Sequence, residues 1–151
     1  MTPEQIALVE RTLAEIAPEL DTVVADFYRR LFAADPALPA LFSRDPAAQR
    51  AKFVAGLDEI LGAVRDHGSF ARRTAALGAD HEGYGVRPRD YLTAGSALLD
   101  ALGTALGPRW TVAVAEAWTR AYDLVSAAML AGTSATPATG PSTRRDSLNR
   151  F

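Results

Sequence analysis

The chain has 151 residues, with 48% apolar and 23% charged residues, no cysteine and a formal net charge of −2. That length and composition fit one soluble globular domain with a substantial core. The missing cysteine excludes disulfides, thiolate zinc sites and a cysteine nucleophile, and the near-neutral scatter of charge argues against nucleic acid or an anionic membrane as a partner.

The opening segment MTPEQIALVE has no basic stretch leading into an apolar one, so no secretory signal is expected. No apolar run reaches the ~18–20 residues of a membrane span. The expected location is therefore cytoplasmic.

Taken in chain order, Thr2-Pro3-Glu4-Gln5 supplies an N-cap, a first-turn proline and a glutamine in capping-box position. The stripe Ile6, Val9, Leu13, Ile16 follows. Val23, Phe27 and Leu31 form a second stripe, ending before Asp35-Pro36. Asp45-Pro46 marks another start, ahead of Phe53, Leu57, Ile60 and Val64. Arg87-Pro88 opens a run with Leu92, Leu98, Leu99, Leu102 and Leu106. Gly107-Pro108 precedes Val114, Trp118, Tyr122, Val125 and Met129. Period-two alternation is absent, so the spacing predicts an all-α chain. Helices are expected at about 3–17, 19–34, 36–42, 46–66, 69–82, 88–106 and 109–132, with ends uncertain by ~2–4 residues. After Ala131 the chain turns to Gly, Pro, Ser and Thr, so residues 1–132 are expected to form the domain and 133–151 a disordered tail.

Two histidines are present. His67 sits in the polar stretch Arg65-Asp66-His67-Gly68-Ser69 and reads as a solvated loop residue. His81 closes a helical run one turn after Leu77 and shares its apolar face. There it is either an iron ligand through one ring nitrogen, with the other bonded to a carbonyl, or a boundary histidine held by a hydrogen bond. Tyr28 lies on the Phe27–Leu31 helix and Gln49 precedes Phe53 by one turn. A phenol and an amide facing one apolar cavity can donate to a diatomic ligand, although either residue taken singly is far more often structural. Phe42 reads as a core aromatic when taken singly. No phosphate loop, HExxH, GxSxG or paired-cysteine motif occurs, and the adjacent carboxylates of Asp58 and Glu59 point about 100° apart on a helix.

The order and spacing of these features resemble the globin domain of bacterial haemoglobins and flavohaemoglobins, from about Thr2 to Ala131. Phe27-Tyr28-Arg29-Arg30-Leu31-Phe32-Ala33-Ala34-Asp35-Pro36 is similar to that family's second helix entering its third. Phe42, six residues after Pro36, falls at the haem-stacking position. Gln49 matches the distal position, with Lys52 and Phe53 one turn on as propionate-side cation and distal apolar residue. His81 matches the proximal position, and Tyr91, ten residues later, matches a tyrosine beside the proximal histidine. Ala117-Trp118-x-x-Ala121-Tyr122 resembles the last helix.

The resemblance implies a globin fold, with helices crossing near 50° around haem b. It implies His81 as iron ligand, Phe42 on the ring, Phe53, Leu57, Leu77 and Val86 as apolar walls, Lys52 at a propionate and Tyr91 on the proximal side. Tyr28 and Gln49 would each add ~1–1.5 kcal/mol of hydrogen bonding to oxygen. The expected function is reversible binding of oxygen and other diatomic gases, by a monomer or homodimer. Oxygen-dependent conversion of nitric oxide to nitrate is a further expectation and needs a separate flavin reductase, because too few residues follow Ala131 to form one. A gas sensor acting through a protein partner is the alternative, and a helical scaffold without haem is the plainest one. One departure concerns the glutamate that bacterial relatives carry on the last helix to make the proximal imidazole more electron-donating. Counting from Tyr122, Thr133 stands there, which removes that push.

Overall fold

The computed structural model describes residues 1–41, 45–66 and 87–135. Among them the regular structure is helical: α1 Pro3–Ile16, α2 Leu20–Ala34, α3 Pro46–Arg65, α4 Pro88–Leu106 and α5 Val112–Ala135, with 3-10 turns at Ala17–Glu19, Leu38–Leu41 and Gly107–Arg109.

The starts follow from local chemistry. The Thr2 hydroxyl accepts the Gln5 N–H at 3.2 Å while the Gln5 side-chain oxygen Oε1 accepts the Thr2 N–H at 3.0 Å, and together they satisfy donors that the first turn would leave open. Asp45 caps α3 by accepting from the Ala47 N–H at 3.2 Å. At α4 the roles divide: Arg87 precedes the helix and the buried Asp90 carboxylate accepts its N–H at 2.7 Å. The Arg87 guanidinium lies 3.3 Å from the same carboxylate and 3.7 Å from Asp35, so the buried charge is matched and the segment before α4 is tied to the end of α2.

Three boundaries differ from the sequence reading. The helix expected at 36–42 is a turn followed by one 3-10 turn, because Pro39 brings a second missing N–H into a segment already opened by Pro36. The last helix begins at Val112 rather than 109, with Thr111 accepting the Val114 N–H at 3.2 Å, while Gly107–Arg109 forms a separate turn about the positive φ of Gly107. It then runs to Ala135, three residues beyond the expected end. The helix expected at 69–82 and the tail beyond residue 135 lie outside the described residues.

Packing joins α2 to α4 and α1 to α5, with α3 laid against α5. Val9, Ile16, Val23, Leu31, Leu102, Leu106, Val114 and Trp118 are sealed in the core. On α4, Leu98, Leu102 and Leu106 are buried as the stripe required, and Leu92 is the exception. Leu92 is 78% exposed, and the buried stripe runs Tyr91, Ala94, Leu98, Ala101, Leu102. Leu92 to Leu98 is not a helical repeat, whereas Tyr91 to Ala94 to Leu98 is. No helix among the described residues is long and apolar enough to cross a membrane.

Candidate functional site

A cavity of about 240 Å³ lies among α2, α3, α4 and α5. Phe27 and Tyr28 come from α2, and the other helices give stripes at three- to four-residue spacing: Phe53, Gly56, Leu57 and Ile60 from α3; Tyr91, Ala94 and Leu98 from α4; Tyr122, Val125 and Met129 from α5. The aromatic wall is ordered. The Phe27 ring meets Tyr28 edge-on at 5.0 Å and lies 5.2 Å from Phe53, and Tyr28 in turn lies 5.7 Å from Phe32.

Three tyrosines, Tyr28, Tyr91 and Tyr122, line this wall, and the hydroxyls of Tyr28 and Tyr122 donate to main-chain carbonyls. Tyr28 is buried, and its hydroxyl donates to the Gln49 backbone carbonyl at 3.2 Å. Burial pushes its pKa well above the ordinary phenol value, so it remains a neutral donor. Tyr122 donates to the Tyr91 carbonyl at 2.6 Å. Burial, with Tyr91 and Asp123 nearby, raises its pKa in the same way. The Tyr122 ring lies so close to Gly95 that a Cβ there would fall 2.5 Å from a ring carbon. The absent side chain lets α5 approach α4 at this point.

Lys52 is an exposed cation on the rim of the cavity. Arg50 pairs with Asp21 at 2.5 Å and so ties the first turns of α3 to α2 on the outer side. Exposed pairs of this kind contribute little stability, but they fix an approach.

Of the site residues expected from sequence, Tyr28, Lys52, Phe53, Leu57 and Tyr91 come together around this one cavity. Gln49 is half-buried on the first turn of α3 and meets Tyr28 through its backbone; it is not among the lining side chains described. Phe42, Leu77, His81 and Val86 lie outside the described residues, as does His67. α5 is continuous through Thr133, so the count from Tyr122 to that position stays on one helix. Sequence reasoning did not assign Gly56, Ile60, Ala94, Leu98, Val125 or Met129 to the site. The signal was present for most of them, because each lies one turn from an assigned residue on the same face. A mostly apolar slot with Lys52 and Glu59 among its lining and neutral phenol donors in its wall suits a flat apolar macrocycle, with Lys52 the group placed to meet an edge carboxylate, so the residues present fit a haem.

Comparison with known proteins agrees with this geometry. The family model described as Globin matches residues 25–129. A flavohemoprotein of Xylella fastidiosa is 32% identical over 124 residues, which cover 80% of this chain and 31% of the relative. Leghemoglobin alpha of Phaseolus vulgaris is 31% identical over 139 residues, covering 85% of this chain and 94% of its own. A solved globin domain, the closed form of the HGbRL globin domain, is 28% identical with a TM-score of 0.43, over 89% of this chain and 97% of its own. The chain thus spans about a third of the length of the flavohemoproteins it matches. With the family model covering most of its length, and a leghemoglobin matched almost end to end, the chain belongs to the globin family.

Proposed function

We propose that this chain binds haem b in the α2–α5 cavity and uses it to bind oxygen reversibly, together with other diatomic gases. Globin membership supports haem-based gas binding in general. What supports the finer reading is the cavity itself: mostly apolar on four helices, with the buried phenol of Tyr28 in its wall on the α2 side and Lys52 and Glu59 among its described lining. When bound, the haem supplies an iron centre with a coordination position open to a small gas.

The chain's own residues do the rest. Phe53, Leu57 and Ile60 exclude water from the cavity and hold the flat ring by dispersion. Lys52 attracts a carboxylate at the rim without being buried. Tyr28 stays protonated and offers a donor to a ligand that carries partial negative charge, worth ~1 kcal/mol or about fivefold in affinity. Gln49 stands at the start of α3 as the second distal residue. His81 is the proposed iron ligand, with Phe42, Leu77, Val86 and Tyr91 around the ring.

The flavohemoprotein relatives favour a second use of the same site: nitric oxide, oxygen and one electron combine to nitrate. A flavin reductase would supply the electron.

The test is an absorption spectrum of the full chain with haem added, reduced and then exposed to air and carbon monoxide. A histidine-ligated spectrum with a stable oxygenated form is expected. His81→Ala should abolish haem retention while His67→Ala keeps it. Loss in the second variant alone would overturn the ligand assignment.

A further inference from the structure

The cavity is not evenly walled. Its described lining residues on α2 and α4 are all buried, and those on α5 are buried or half-buried. The exposed ones, Lys52, Ala55 and Gly56, all belong to α3. A residue that both lines a cavity and faces solvent stands at its opening, so the opening runs along one edge of α3. Glu59, half-buried in the lining, continues that edge. Lys52, Gly56 and Glu59 follow one another at four- and three-residue spacing and stack on one side of the helix. The two charged residues stand about 10 Å apart along the axis, with the small Ala55 and Gly56 between them. A Cβ added at Gly56 would meet nothing within 4 Å, so the gap there is open.

We propose that small ligands enter the cavity through this opening at Gly56, and that Glu59 beside it holds back anions relative to neutral gases. This rests on the haem- and gas-binding reading above and adds a route to that site. The opposite charges divide the opening. A haem carboxylate settles at the Lys52 end, where it is attracted, and away from the Glu59 end, where it is repelled. Lys52 is then matched by its partner, and Glu59 is left as the charge that an incoming ligand meets. Half-burial screens it less than full exposure would, so its field reaches into the passage. Oxygen, carbon monoxide and nitric oxide carry no net charge and pass it, whereas an anion such as nitrite is slowed. Glu59 is thereby a specificity-determining residue that acts on entry.

The route is tested with the full chain loaded with haem and reduced. In Gly56→Leu the new side chain must leave its rotamer to let a ligand past, so carbon monoxide association should slow by about tenfold, with dissociation slowed alongside it. Unchanged association places the route elsewhere and overturns the proposal. The charge filter is read from nitrite binding to the oxidised chain at low salt. Glu59→Gln should raise nitrite association relative to carbon monoxide association by about threefold, and added salt should erase the difference. A ratio that does not move, or one indifferent to salt, overturns the role of Glu59. Because the chain has no cysteine, Gly56→Cys introduces a single thiol at the opening. A haem-loaded sample labelled there with a bulky maleimide should take up carbon monoxide more slowly than the same sample unlabelled, which settles the route if Gly56→Leu does not hold haem. In the haem-free chain, adding Glu59→Gln should raise labelling by an anionic thiosulfonate relative to a cationic one by roughly tenfold, since the two respond in opposite directions. If the wild type takes up no haem, the gas-binding reading falls, while this labelling ratio still reports the opening and its charge. A thiol that stays unlabelled, or a ratio that stays put, overturns the proposal on its own.

Discussion

Two stretches of α5, one turn apart, meet opposite surroundings. At Trp118 the helix is sealed against α1: the indole is 1% exposed, and its N–H donates to the Thr12 hydroxyl at 2.9 Å. That hydroxyl in turn donates to the Leu8 carbonyl at 2.6 Å. At Tyr122, Val125 and Met129 the same helix faces a cavity. The α1 seam is filled and its buried polar atoms are paired, which is where stability comes from. The cavity side gives up contacts to keep room for a ligand. One helix therefore serves as core on one face and binding wall on the next.

The largest effect should come from breaking the sealed side. Trp118→Ala removes a buried aromatic and the hydrogen bond its indole gives to the Thr12 hydroxyl, and should cost about 3–5 kcal/mol in urea unfolding. For a domain whose total stability is of order 5–15 kcal/mol, that is a severe loss. A loss below ~1 kcal/mol would mean that the α1–α5 seam is no tighter than the cavity side.

The two regions also differ in how far they could be read from sequence. Helix starts were legible because capping is local: Thr2 with Gln5, Asp45 ahead of Pro46 and Arg87 ahead of Pro88 all act within one turn. The stripe Phe53, Leu57, Ile60, Val64 is buried throughout, as its period required. Thr12 was not legible. It is a polar residue that reads as off-stripe between Val9 and Leu13, and its partner is 106 positions away. The cavity's polar wiring was hidden for a different reason. Tyr28 and Tyr122 both donate to main-chain carbonyls, which every residue carries and no side-chain pattern marks. Among the α4 leucines, side-chain type misled where period did not: Leu92 faces outward while Gly95, which drew no notice, is buried against Tyr122.

Gly95 is the point where α4 and α5 approach closely at the edge of the cavity. Gly95→Ala gains about 1 kcal/mol of helix propensity, yet it drives a methyl to 2.5 Å from a Tyr122 ring carbon. The ring is held by its hydroxyl on the Tyr91 carbonyl and has little room to yield. Overpacking of about 1–3 kcal/mol should win, for a net loss in thermal unfolding. Adding Tyr122→Leu should recover part of that loss, because the clash then has no ring to meet. A double variant as unstable as the sum of the two singles would place the strain elsewhere.

Gly56 gives the smallest effect and the opposite sign. It lies inside the 20-residue helix α3, where glycine costs about 1 kcal/mol relative to alanine. A Cβ added there meets nothing within 4 Å, yet the residue lines the cavity. Gly56→Ala should therefore stabilise the haem-free chain by ~0.5–1 kcal/mol, seen as a higher urea midpoint at unchanged slope. The added methyl takes up space on the α3 wall, so haem affinity should fall or stay level as stability rises. If stability and affinity rise together, the space beside Gly56 is not part of the haem's seat. If they separate, the cavity side has exchanged helix stability for room, and the contrast with the Trp118 seam extends to a single methyl group.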